Sequence, residues 1–202
     1  MHRHLRPAVV LTLLLALLTG LAYPAAVTGL ATVLFPAQAH GSLLLRDGQV
    51  IGSALIGQAF SGPGYFHGRP SAAGAGYDAT ASGGRNKGPT DRKLADTLLP
   101  AAIEAAVQQD GAVRGQVPSD LVTASASGLD PHLAPASAYL QVARVARARG
   151  LDSAQLRTLV EAHVEGRQFG FLGDPRVNIL LLNLALDSLA PPARPSAAGA
   201  GH

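Results

Sequence analysis

Between Arg6 and Arg46 the chain carries no Asp, Glu, Lys or Arg. No other feature limits the possible folds as much. Pro7 to Phe35, within that gap, would run about 43 Å as a helix, against a hydrocarbon core of about 30 Å. It is long enough to cross a bilayer with tilt. A secretory signal is the competing reading, and Ala37-Gln38-Ala39 resembles a cleavage site. Signal cores run only about 7–15 residues, so an uncleaved anchor is expected. Tyr23-Pro24 predicts a kink. Small residues at Gly20, Ala25, Ala26, Gly29 and Ala31 let another helix approach closely. Arg3 and Arg6 precede the span, and no basic residue follows it until Arg46. That bias predicts residues 1–6 in the cytoplasm, 7–35 in the membrane and the body outside.

Composition narrows the function classes. From Arg46 onward the chain has 14 Lys/Arg and 13 Asp/Glu. It is nearly neutral and has no basic block interleaved with aromatics, which disfavours a nucleic-acid partner. With no Cys, disulfides, thiolate metal sites and Cys nucleophiles are excluded. With no Trp and 4% aromatics, the core must be built largely from Ala, Leu and Val.

The body, 36–189, reads as one α+β domain. Asp47-Gly48 lies between two apolar runs and predicts a hairpin with strands near 42–46 and 49–57. Phe60 to Thr90 is a long Gly/Ser-rich connection, in which Gly83, Gly84, Asn86 and Gly88 suit either a tight loop or a backbone nest for an anion. Thr90 is expected to cap a helix to about Gln109, broken near Pro100. A second helix starts at Pro135 and ends by Gly150, with Arg144, Arg147 and Arg149 favouring its C-terminal dipole. Asp152 and Gln155 resemble a capping box for a third. Asp174-Pro175 is expected to open a fourth, Val177 to Leu189, apolar on all sides and therefore buried. From 190 the Pro/Ala/Gly tail reads as disordered.

The most specified stretch is Val117 to Pro135. It begins with an apolar β-type run, Leu121-Val122-Thr123. It turns through Ser125-Ala126-Ser127-Gly128 and closes at Asp130-Pro131. Ser127, Asp130 and His132 are the residue types of a hydrolase triad, but no Gly-x-Ser-x-Gly elbow occurs. Asp130 reads better as a turn former and His132 as a helix-entry residue. His67, His132 and His163 lack metal-site spacing, so no metal is expected. Small uncharged residues from Leu121 to Leu129 suit close backbone approach. Tyr65, Phe66 and Arg69 are residue types enriched at interface hot spots. A docking surface is therefore expected from Tyr65, Phe66, His67 and Arg69 with Thr123, Ser125, Ser127, Gly128, Asp130 and His132. On that reading Ser127→Trp or Gly128→Trp leaves the fold intact and lowers assembly.

Taken together these motifs resemble the KdpC family, accessory components of the Kdp-type potassium-transporting P-type ATPases. The likeness runs from Leu5 to Asp187. It includes Gly20 with Tyr23-Pro24, Gly52-Ser-Ala-Leu-Ile-Gly-Gln58, Tyr65-Phe-His-Gly-Arg-Pro-Ser-Ala72 and Ala81-Ser-Gly-Gly84. It continues through Leu121 to Asp130, Arg144-Val-Ala-Arg-Ala-Arg149 and Val177 to Asp187. Arg85 and Lys87 depart from the small or apolar residues usual there. The resemblance implies a non-catalytic subunit of a high-affinity potassium uptake pump in a bacterial inner membrane. Its implied partners are an ion-conducting subunit, an ATP-hydrolysing subunit and a small single-span one. It also implies an assembly role, a catalytic-chaperone role that raises ATP affinity, and no covalently bound cofactor. Were nucleotide held on this chain, Ser125, Ser127, Gly128 and Gln141 are the polar positions to test. The charge bias, which puts the body away from cytoplasmic ATP, opposes that. A membrane-anchored serine hydrolase and a solute-binding module are the alternatives.

Overall fold

A computed structural model describes residues 2–190. They divide at Ser53/Ala54 into two units. The first unit holds one long helix, made of α1 (His2–Leu17), a π-helical turn (Leu18–Ala22) and α2 (Tyr23–Leu34). The expected kink takes the form of that π turn. Pro24 has no N–H, and its ring would strike the carbonyl four residues back, so the chain widens just before it. Tyr23 N–H then reaches five residues back, to Leu18 O. Arg3–Leu34 has a mean hydropathy of 2.1 over its most apolar window, none of it buried. By length and composition this is the one helix among the described residues that suffices to cross a membrane.

A short helix, α3 (Pro36–Ala39), leads into β1 (Leu43–Arg46) and β2 (Gln49–Ser53). The predicted hairpin is present, and Arg46 pairs with Gln49 across a two-residue turn. Asp47 (φ 53°) and Gly48 (φ 77°) are both left-handed, as a primed turn requires. The second strand stops at Ser53, short of the expected 57.

In the second unit the helix expected at Thr90 is capped one residue later. The Asp91 carboxylate accepts the Leu94 N–H at 3.0 Å. A π turn (Leu94–Leu98) again precedes a proline, Pro100, and α4 follows as Leu99–Asp110. The second helix matches expectation as α5 (Pro135–Arg149), with Pro135 in its first turn and Gly150 left-handed at its end. Asp152 does cap α6 (Ser153–Ala162), but its side chain makes no capping bond, so no capping box forms.

Two further expectations fail. Leu121-Val122-Thr123 is not a strand. Ser119–Leu121 is a 3₁₀ turn, and the Thr123 hydroxyl bonds back to Ser119 O at 2.7 Å. Three β-type residues are too few to resist a turn already begun at Ser119-Asp120. Nor does the last helix begin at Val177. Arg176–Asn178 is a strand, β5, central between β3 (His132–Leu133) and β4 (Val164–Glu165). Asn178 then caps α7 (Ile179–Leu189), its side chain accepting the Leu181 N–H.

The core joins α5, α6 and α7 with β3 and β5 through Leu133, Val142, Val145, Leu156, Val160, Val177, Leu182 and Leu186. Phe66 supplies its one fully buried aromatic side chain. As expected, α7 is largely interior, burying Ile179, Leu180, Leu182, Asn183 and Leu186. The tail from 191 lies outside the described residues.

Candidate functional site

The stretches 65–69 and 121–132 come together on one side chain. Arg69 Nη1 donates to Asp130 Oδ2 at 3.1 Å. Its remaining N–H groups donate to Thr123 O, Thr123 Oγ1 and Ala124 O at 3.3–3.4 Å. Five donors in a fixed fork suit a turn whose carbonyls would otherwise be orphaned.

The turn itself is closed by its own side chains. Ser125 Oγ accepts Gly128 N–H at 2.8 Å and Ser127 Oγ accepts Leu129 N–H at 3.1 Å. Asp130 Oδ1 accepts His132 N–H at 3.0 Å. Gly128 is buried at φ 68°, and its carbonyl accepts from Ser71 Oγ at 2.6 Å. The Gly-rich connection packs against this turn through Gly83, whose N–H donates to Ser127 O, and the segment before it adds Gly57 N–H to Leu129 O. Of the expected nest or tight-loop residues, the Gly83 N–H is thus occupied.

Titration behaviour follows from these contacts. Burial alone would raise the Asp130 pKa. Hydrogen bonds from the His132 side chain and backbone and from Arg69 outweigh it and hold the carboxyl at about 2. Tyr77 donates its hydroxyl to Arg69 O at 2.7 Å. Burial, then the Asp130 charge, push it up to about 12. His67 is held below its ordinary value, first by burial. In its neutral form Nε2 donates to Gly62 O at 2.9 Å.

Asp130 sets an acid-stability expectation. Its folded pKa lies below the unfolded value of about 3.9. Its stabilisation is therefore complete above about pH 4 and is lost as the pH falls toward 2. Asp130→Asn is expected to cost on the order of 1 kcal/mol at neutral pH, allowing for partial exposure. It should also flatten the stability profile between about pH 4 and pH 2. Urea denaturation at a series of pH values measures this, and wild-type and variant profiles of equal slope would refute it.

Not every expected residue faces outward. Phe66 is fully buried in the core, and its backbone is held by Asn183, which accepts its N–H and donates to its O, both at 2.9 Å. Gln141 does the same for His67 at 2.7 and 3.0 Å. Gln141 Oε1 also accepts from Arg144. Both side chains are therefore committed to the fold, and Gln141 has no free polar atom to offer a nucleotide. Gly128 is buried as well, so a side chain there probes folding, and Ser127, which is exposed, carries the docking test alone. Thr123 and Ser125 line an open groove of about 330 Å³ with Arg85 and Lys87.

His132 Nδ1 lies 3.5 Å from Asp130 Oδ1, but no hydrogen bond among the described residues joins Ser127 to His132. No group of three His, Cys, Asp or Glu that suits a metal occurs among them either.

Two arginines play larger parts than helix-dipole partners. Arg144, 9% exposed at its side chain, pairs with Asp110 at 2.7 Å. It also donates to Pro63 O and Tyr65 O. Arg149 pairs with Asp187 at 2.8 Å and lies 4.5 Å from the centre of the Tyr65 ring. For Arg149 and Gln141 the signal in the sequence was spacing. Positions 138, 141, 142, 145 and 149 lie on one helical face, so polar residues there face the core, whereas Arg144 lies off that face.

Comparison with known proteins places this architecture. The family model described as K+-transporting ATPase, c chain matches residues 5–188. A potassium-transporting ATPase KdpC subunit from Gemmatimonas aurantiaca is 63% identical over 94% of this chain and 95% of its own. One from Rhodospirillum rubrum is 59% identical over 95% and 98%. One from Acidobacterium capsulatum is 56% identical over 92% and 98%. The chain belongs to the KdpC family of the K+-transporting ATPase.

Proposed function

We propose that the chain assembles and stabilises a high-affinity, ATP-driven potassium uptake pump as a non-catalytic subunit. Its second unit then stands on the extracytoplasmic side, beside the ion-conducting subunit. The observation that carries this is the helix Arg3–Leu34, long and apolar enough to cross a membrane, with none of its most apolar window buried. Its only charged residues, Arg3 and Arg6, lie at the N-terminal end, which favours the N-terminus in the cytoplasm. Of the proposed docking surface Ser127 is exposed, Tyr65, His67, Arg69, Thr123, Ser125, Asp130 and His132 are half-buried, and Phe66 and Gly128 are buried.

A chaperone effect on ATP affinity fits this reading if it is exerted through the complex. Gln141 is bonded to His67 and Arg144, which argues against nucleotide held on that residue. The proposed set of partners is completed by the ATP-hydrolysing subunit and a small single-span one.

The test has two parts. Reporter fusions after Arg46 and after Leu189 should both score external. Mild-detergent purification of the tagged chain should bring down the ATP-hydrolysing and ion-conducting subunits. An internal reporter at Leu189 would overturn the topology, and a chain that purifies alone would overturn the assembly role.

A further inference from the structure

The feature with no part in the site above is the loop between β4 and β5. Its tip is Gln168-Phe169-Gly170-Phe171-Leu172. Phe169 is 87% exposed, Phe171 69% and Leu172 47%. The chain has five phenylalanines in all. It places two of them in water around one glycine, while Phe66 fills its core.

The arm is ordered by its own bonds. Gln168 and Leu172 exchange both backbone hydrogen bonds at 2.9 Å. Phe169 (φ 53°) and Gly170 (φ 82°) form the tight turn between them. A bulky side chain at positive φ is an outlier that folding alone does not favour. Glycine would serve there without strain, so the side chain is what the position retains. Below the tip, Arg167 pairs with Asp174 at 3.0 Å and Arg176 with Glu165 at 2.9 Å. Val177, fully buried in the central strand, and the half-buried Val164 root the arm in the core.

These charges choose between two occupants. Binding to a lipid surface is helped by unpaired Lys/Arg facing anionic headgroups and by Trp or Tyr at the interface. Here each cation of the arm has an acid partner, the sum over 164–176 is zero, and the aromatics are Phe. An apolar tip with a self-neutralised polar rim matches a protein pocket instead, since a buried apolar centre and polar rim are the usual anatomy of an interface. The chain belongs to a family of subunits of a multi-subunit ATPase, so protein surfaces are its ordinary neighbours.

We infer that Phe169 and Phe171 form an anchor that inserts into an apolar, uncharged cleft of another subunit of the same pump. This rests on the assembly role proposed above.

The test is photocrosslinking in the native membrane, with p-benzoylphenylalanine replacing Phe171 in the full-length chain. Irradiation should give one adduct of this chain with another pump subunit, identified by mass spectrometry. An adduct with lipid only, with a second copy of the chain, or none at all would overturn the anchor. In parallel, Phe169→Ala/Phe171→Ala should lower recovery of the partner subunits at least tenfold while the melting temperature of the chain is unchanged. Phe169→Gly alone relieves the strained turn and should lower recovery without loss of stability. Full recovery with the double variant would also overturn the anchor. The two readings fail differently. If the assembly role is wrong, the wild-type chain recovers no partners. If only the anchor is wrong, wild type and double variant recover them equally.

Discussion

Arg149→Leu is expected to destabilise the second unit by about 3–5 kcal/mol, the range for breaking a buried ion pair from one side. The Arg149 side chain is 4% exposed and that of Asp187 14%. The guanidinium donates to Asp187 Oδ1, Gly64 O and Ala190 O at 2.7–2.8 Å. Leucine would fill much of the volume but leave the carboxylate and two carbonyls without those donors. Tyr65 would also lose the cation above its ring, and its hydroxyl, 3.3 Å from Asp187 Oδ2, could not replace three directed bonds. Arg149→Lys should recover less than half of the loss, because an ammonium cannot reproduce the planar fork. Arg149→Leu/Asp187→Leu should be more stable than Arg149→Leu alone, since the carboxylate that lost its guanidinium goes too. Urea denaturation of the detergent-solubilised chain measures all three variants. A loss below about 1 kcal/mol for Arg149→Leu would mean that the pair behaves as an exposed one.

The same arginine shows where the sequence was legible and where it was not. Local rules read well. Asp47-Gly48 specified its turn because both positions need positive φ. Pro135 and Gly150 bounded α5 because one lacks an N–H and the other tolerates a left-handed backbone. The apolar helix was plain from the missing charges. Short elements read poorly. β5 is three residues long, and its strand character comes from pairing with the distant β3 on one side and with β4 across the 164–176 arm on the other. Asn178 supported the wrong assignment, since it caps the helix that follows. The site was half legible. Arg69 and Asp130 were placed on one surface, and they are bonded to each other. Phe66 was assigned to an interface because aromatics favour interfaces and cores alike, and residue type does not separate them. Gln141 drew attention as polar, yet its place on the buried face of α5 marked it as a partner for main chain. Phe169 and Phe171 were passed over because nothing in their spacing distinguishes a presented tip from an ordinary loop.

Gly128→Ala should cost about 2–5 kcal/mol, more than the same change at Gly150, a left-handed glycine that ends a helix. Two penalties add. Alanine at a left-handed φ of 68° costs roughly 1–2 kcal/mol. A β-carbon there would also sit 2.6 Å from Ala73 N, 2.7 Å from Gly83 O and 2.8 Å from Ala73 Cβ. Overpacking of that kind costs typically 1–3 kcal/mol. Two of those three atoms are main chain, so no rotamer change removes the clash. Relief requires the 71–84 segment to move, which breaks the Ser71–Gly128 and Gly83–Ser127 hydrogen bonds. Gly150→Ala separates the two terms. Its φ of 66° is nearly the same, but nothing lies within 4 Å of the added carbon, so only the backbone penalty of roughly 1–2 kcal/mol applies. Equal losses for the two variants would mean that the 71–84 segment yields without cost. A larger loss at Gly128, by at least about 1 kcal/mol, would establish the turn as part of the packed interior. It would leave Thr123, Ser125 and Ser127 as the face on which docking substitutions can be read without unfolding the chain.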